Sequence, residues 1–531
     1  MKKVIFYVGI ITFLLTASGC KKSLLDIQNK GAYTYDTYFA TDAVLNQAVV
    51  ATYATMLHQG MWSREYYFIF DLMGYEAKSD AALQGGMLAL AQFTFGPESP
   101  ELQQFWASFY RMVLRANVVI DRTTIWEPTT PGEIANKKQY LAEAKFLRAF
   151  AYFNLVNTYG RVPLRTSFSA NTHELYPSRA SVAEIWASIE MDLKDAAADL
   201  PVQYPADQLG RVTKGAAVAL LGKSYLYQKK WPEAQSQFTL LTQSPFDYKL
   251  APNYLDLFSN QNQSNPETIF QVMHQKWTDW GIGNQYYMFT GQEFWGNKAT
   301  HSGRAQEYGF NDWKNVYITT TAVEAFTYPN PANGSTYKDP RAKFTFYGDA
   351  ASGGQTQYCQ QCPGGAKPFE YNDPATGKEK LGYRWLKYEY YNEVENYGGP
   401  QSGINSQLIR YADVKLMLAE AYIQQGVTGA VPLGLINDVR ARSGAVAYPT
   451  LGTQANAMTI LMRERQLEFT GEQLRWFDLI RWGIAKQTIN AERLIEDGTQ
   501  PLKDKNLLFP IPLDEKSSNP NVAGDIQNDW N

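Results

Sequence analysis

Ala216-Ala217-Val218-Ala219-Leu220-Leu221-Gly222-Lys223-Ser224-Tyr225, followed by Ala234-Gln235-Ser236-Gln237-Phe238 and closed near Pro245, is the stretch that decides the fold. Leu221, Gly222 and Tyr225 stand at helical spacing, and Ala234 and Phe238 lie one turn apart on a return helix. Small residues at the contact points let two helices approach closely. Such a pair buries its apolar faces only by stacking on neighbours, so a scaffold of several helices is expected around it.

The chain supplies those neighbours. A second pair runs over 408–442, where Tyr411, Val414, Leu418 and Ala421 form one stripe, Gly426 ends it, and Leu433, Ile436 and Val439 begin the return. Helical runs also cover 41–57 and 101–124. The run over 134–159 carries two stripes, Phe146, Ala149, Phe150 and Phe153 on one side and Leu147, Ala151 and Leu155 on another, the pattern of a helix buried on most sides. The pair over 216–244 resembles the tetratricopeptide pattern, with Val218 where that pattern prefers Trp. The expected class is mainly α, with tetratricopeptide-like helix pairs forming a curved scaffold. Between about 250 and 405 no helical period persists, and Gly, Asn, Pro, Tyr and Trp dominate. A loop-rich insertion with short strands is expected there, between scaffold parts at 41–245 and 406–531. Long irregular segments are uncommon unless functional, which makes this the place to look for a ligand.

The opening residues have a separate purpose. Lys2 and Lys3, an apolar run over 4–16 and Ala17-Ser18-Gly19-Cys20 resemble a lipoprotein signal. Cleavage would leave residues 1–19 behind and acylate Cys20, anchoring residues 20–531 to a membrane without spanning it. The formal charge of −3 becomes more negative once Lys2 and Lys3 are removed, and a mildly acidic surface argues against nucleic acid. Aromatic residues make up 14% of the chain, rich enough to serve cores and ligand platforms alike. Cys359 and Cys362, in a Gly/Pro-rich stretch, most simply close a small loop as a disulfide. A zinc site would need two further ligands, and a redox site would need the motif to open a helix.

Catalytic motifs are missing. Gly222-Lys223-Ser224 imitates the end of a phosphate loop, but Ala217 stands where that motif needs glycine. No G-x-S-x-G or H-E-x-x-H occurs, and His58, His173, His274 and His301 each lack a motif partner. No metal or cofactor is implied. Arg463, Glu464, Arg465 and Glu468, like Arg475, Asp478 and Arg481, sit at spacings that permit ion pairs along a helix and read as scaffold.

Several segments together resemble the SusD/RagB family of outer-membrane nutrient-binding lipoproteins. They are Glu143-Ala144-Lys145-Phe146-Leu147-Arg148-Ala149 running on to Tyr159-Gly160-Arg161-Val162-Pro163-Leu164, then Arg410-Tyr411-Ala412-Asp413-Val414, and Ile436-Asn437-Asp438-Val439-Arg440-Ala441-Arg442. Arg463-Glu464-Arg465-Gln466-Leu467-Glu468-Phe469, Leu474-Arg475-Trp476-Phe477-Asp478-Leu479-Ile480-Arg481-Trp482-Gly483 and Leu508-Phe509-Pro510-Ile511-Pro512 complete the set, in the family's order. Such proteins often carry acidic residues after the lipidated cysteine, whereas Lys21-Lys22-Ser23 follow here. The resemblance implies a single α-rich domain that captures glycans at the cell surface and passes them to a TonB-dependent transporter of the SusC type, without catalysis.

Glycan capture asks for aromatic faces ringed by amides and charges. Trp277, Asp279, Trp280, Tyr286, Trp295 and Trp313 offer this mixture in the middle segment, and Trp62 and Tyr66 offer it earlier. These eight are the candidate ligand-binding residues. Asp279 and Glu293 are the pair a lipid-anchored glycosidase would use, since glycosidases need two carboxyls roughly 5 to 10 Å apart. Binding of peptides or other non-glycan nutrients, and a purely protein-binding helical scaffold, are the other readings.

Overall fold

The computed structural model describes residues 35–79, 86–168, 176–258, 265–274, 308, 316–358, 367–369, 382–388, 404–496, 501–524 and 530, and the statements below concern these. Seven helices longer than six residues build the first part: α1 (Asp42–Ala54), α2 (Glu65–Met73), α3 (Pro100–Ile125), α4 (Pro131–Tyr159), α5 (Val182–Asp199), α6 (Lys214–Tyr227) and α7 (Trp231–Leu240). Five build the last part: α8 (Tyr411–Gln424), α9 (Ala430–Arg442), α10 (Gln454–Phe469), α11 (Arg475–Trp482) and α12 (Ala485–Glu496).

Local chemistry sets the ends of the central helix, α4. The Thr130 hydroxyl accepts from the Glu133 amide at 3.2 Å, and the Glu133 carboxylate accepts from the Thr130 amide at 2.9 Å. Pro131 occupies the first turn, where no amide is needed. Gly160 ends the helix at φ +68°, and a Cβ there would lie 3.2 Å from Leu508 Cδ1. Both expected stripes of α4 are buried, because α3 packs on one side and α5 on the other.

The helices then stack in sequence, α3 on α4, α4 on α5, α5 on α6 and α6 on α7. At the α6–α7 contact a Cβ on Gly222 would meet the Phe238 ring at 2.6 Å, so glycine is what allows this pair to close. α7 packs on α8, which in turn contacts α9 and α10, so the two helical parts form one scaffold across the loop-rich middle. A large aromatic core centred on Phe105, Phe109, Phe146 and Phe150 fills the first part. A smaller one, with Leu416, Ile436, Leu461 and Phe469, fills the second.

The described residues of the middle form short strands and short helical turns. β1 (Ala77–Ser79) pairs antiparallel with β3 (Val316–Ile318), and β2 (Thr268–Val272) pairs with β8 (Ser406–Arg410). Between them lie three small antiparallel pairs, β4 (Thr327–Pro329) with β5 (Thr336–Lys338), β6 (Phe346–Tyr347) with β7 (Arg384–Trp385), and Gln357–Tyr358 with Lys367–Pro368. Among the described residues no helix is long and apolar enough to cross a membrane.

Candidate functional site

Two strand pairs deliver the aromatic-rich middle segment. In β2 and β8, Val272 stands opposite Ser406, so the chain leaves toward 275 and returns from 403 at the same end of one ribbon. The His274 amide donates to Asn405 Oδ1 at 2.9 Å, and the His274 ring lies 3.2 Å from the Ser406 hydroxyl, which closes that end. In β1 and β3, Ser79 stands opposite Val316, so the last residue of one strand and the first of the other lie side by side. Tyr308 is a further anchor, its hydroxyl donating to Asp71 Oδ2 at 2.7 Å and its ring edge-on to Tyr67. Beside this frame the half-buried Tyr317 ring faces two cations, with the Arg384 guanidinium 4.9 Å and the Lys78 ammonium 5.4 Å from its centre. Trp277, Asp279, Trp280, Tyr286, Trp295 and Trp313 lie outside the described residues, as do Glu293, Cys20, Cys359 and Cys362.

Trp62 and Tyr66 do not offer free ring faces, which corrects the expectation for both. Trp62 is 3% exposed and stacks at 4.3 Å on Tyr66 and at 5.5 Å on Phe150. The Tyr66 hydroxyl is spent on Asn154 Oδ1 at 3.0 Å. Both residues border a pocket of about 40 Å³, room for water and not for a sugar. The start of α2 turns these rings onto α4, and aromatic stacking inside a core uses the same side chains as stacking on a ligand.

The other end of the β2–β8 ribbon is clamped by buried charge. Arg410, the last residue of β8, donates to Glu267 at 2.7 Å, to Glu468 at 2.7 Å and to Glu472 at 2.8 and 2.9 Å. Arg442 reaches Glu267 at 2.9 Å and also pairs with Glu468. Two cations from the loop-rich middle join in: Arg341 pairs with Glu464 at 2.6 Å and Glu468 at 3.2 Å, and Lys387 with Glu472 at 2.6 Å. A neighbouring cluster joins Arg465 to Asp413 at 2.8 Å and to Asp478 at 2.7 Å, while Lys223 of α6 reaches Asp413 at 3.2 Å.

The scaffold reading of these residues therefore stands, with one change. Most of the pairs run between elements, and Arg481 with Asp478 is an exception that follows helical spacing. Burial alone would raise the Glu468 carboxyl, but Arg442, Arg410 and Arg341 overcome it and hold the pKa down at about 2. Asp413 is likewise held at about 2, against burial, by Lys223 and Arg465. Carboxylates held this firmly ionised neither donate a proton nor wait for one at neutral pH. His58 is held neutral, since burial and then the charges of Arg111 and Arg115 lower it to about 4. One buried acid departs: burial pushes Glu76 up to about 8, with Arg475 pulling the other way. Among the described residues no group of histidines, cysteines and carboxylates could hold a metal ion.

The fold and this frame define a class. Residues 247–529 match the SusD family, and residues 25–226 match a family described as starch-binding and associating with the outer membrane. The chain belongs to the SusD family. It is 27% identical to SusD-like protein P2 of Formosa agariphila, over 98% of this chain and 99% of that protein. Among solved structures it is similar to a SusD superfamily protein from Bacteroides vulgatus, with a TM-score of 0.75 and 26% identity over 91% of this chain and 98% of that one. A laminarin-binding SusD-like protein gives a TM-score of 0.68 and 26% identity over 90% of this chain and 97% of that one.

Proposed function

We propose that this protein is a non-catalytic glycan-binding lipoprotein, anchored to the outer membrane through Cys20, that captures oligosaccharides and hands them to a TonB-dependent transporter of the SusC type. The observation that carries this reading is the pair of likenesses spanning the chain: a family described as starch-binding over residues 25–226 and a laminarin-binding relative over nine-tenths of the length. The aromatic and polar residues Trp277, Asp279, Trp280, Tyr286, Trp295 and Trp313 form the capture surface. The ribbon of β2 and β8 and the pair of β1 and β3 hold the described ends of that segment. Ring faces would cover the apolar face of a sugar while amides and carboxylates take its hydroxyls. Hand-over to a transporter requires release, so moderate affinity suits the task.

The test is electrophoresis of the chain starting at Lys21 through gels holding a panel of polysaccharides, starch and laminarin among them, with a parallel assay for new reducing ends. Retardation by at least one polysaccharide, with no new reducing ends, is expected. Migration unchanged in every gel overturns glycan capture, and new reducing ends overturn the non-catalytic reading.

A further inference from the structure

A second cleft lies on the helical side of β2. It holds about 510 Å³, within the range of small-ligand sites, and opens where the turn after α5 (202–213), the turn after α7 (245–248) and β2 meet. Its apolar wall is aromatic. The Phe246 and Tyr248 rings lie 12° from parallel with centres 6.0 Å apart, both half-buried, and Tyr204 and Ile269 are buried beside them. Three amides line it as well: the exposed Gln203, the half-buried Asn265, whose Oδ1 accepts from the Glu267 and Thr268 amides, and the half-buried Gln271, whose Oε1 accepts from Gln407.

The charges at this cleft are already balanced. Arg211 donates to both oxygens of Glu143 at 2.9 and 3.1 Å and to Asn46 at 2.6 Å, so its guanidinium is committed to the protein. Asp247 is paired with Lys249 at 2.9 Å on the open rim. A charged ligand would meet no uncompensated partner, whereas a neutral, hydroxyl-rich ligand with an apolar face would meet the aromatic wall and the exposed Gln203 amide on the rim. Six residue steps along extended chain separate Thr268, at the cleft, from His274, a span of roughly 20 Å.

We propose that this cleft is a second carbohydrate-binding site for a neutral oligosaccharide, gripping the same long glycan whose other part is held by the aromatic segment after His274. The inference rests on the glycan reading above. Two weak sites on one chain raise the grip on a polymer by a factor of roughly 10²–10⁴ over either alone, with little effect on short ligands.

The test compares the wild type with Phe246→Ala and with Gln203→Ala on the exposed rim, which leaves the packed wall intact. The probes are the polysaccharide that retards the wild type and its trisaccharide, measured by gel retardation and titration calorimetry. Phe246→Ala should weaken polysaccharide binding at least tenfold and lower the trisaccharide stoichiometry from two to one, and Gln203→Ala should weaken polysaccharide binding at least threefold. Unchanged polysaccharide affinity in Gln203→Ala, or a wild-type stoichiometry of one, overturns the second site. A wild type that binds no polysaccharide overturns the glycan reading itself, which separates the two failures.

Discussion

The charged interior around α10 and the aromatic-walled cleft beside β2 are made from opposite materials. Around α10, arginines and carboxylates crowd together and nearly every one is satisfied by another element of the protein. Beside β2 there are few charges, those few are spoken for, and half-buried aromatic rings and the exposed Gln203 line the opening. The contrast teaches that charge density marks the joint of this fold and not its chemistry. A buried carboxylate with two or three guanidinium partners is fixed in one protonation state, whereas a half-buried ring beside an amide still has something to offer a ligand. The joint bears on the proposed capture at one remove, because Glu267 and Arg410 fix one end of the ribbon whose other end leads to His274.

The sharpest way to break this comparison is Arg410→Ala. It strands Glu267, Glu468 and Glu472 without their shared partner, and removing one side of a buried ion pair costs about 3–5 kcal/mol. Urea unfolding should show a loss of that size, with glycan binding lost only in proportion to folded protein. A variant as stable as the wild type that no longer binds would make the network part of the site.

Acid tests the same joint without mutation. The folded-state pKa of Glu468 is depressed, so the stability it contributes is present above its ordinary value of 4.5 and is lost as pH falls toward about 2. At 1.36 kcal/mol per unit this amounts to about 3 kcal/mol from Glu468, and Asp413 adds in the same direction between 3.8 and about 2. Melting followed by circular dichroism should show a falling midpoint across this window. A midpoint that stays level from pH 5 to pH 2 would mean the arginines do not hold these carboxylates ionised.

Legibility in the sequence follows the same division. The helical pairs were readable because periodicity is local: the stripes over 134–159 and the small-residue contact at Gly222 lie within a few turns of one another. The partners of the charged residues were not, since Glu468 meets Arg410 from 58 positions away and Glu464 meets Arg341 from 123. Helical spacing suggested pairs along one helix, and the structure makes most of them across elements. Trp62 and Tyr66 misled for a related reason. Their core partners, Phe150 and Asn154, sit more than 80 positions later, so nothing nearby tells a packed ring from a platform. The cleft beside β2 went unread because its wall is assembled from three separate turns and strands, none carrying a motif.

The central claim is that capture lies with the aromatic middle segment while the helical joint only holds it. Its most direct test is the triple variant Trp277→Ala/Trp280→Ala/Trp295→Ala, with melting temperature and polysaccharide retardation measured on the same sample. The account predicts retardation reduced at least tenfold with the melting temperature within a few degrees of the wild type. Full retardation by the triple variant would contradict it.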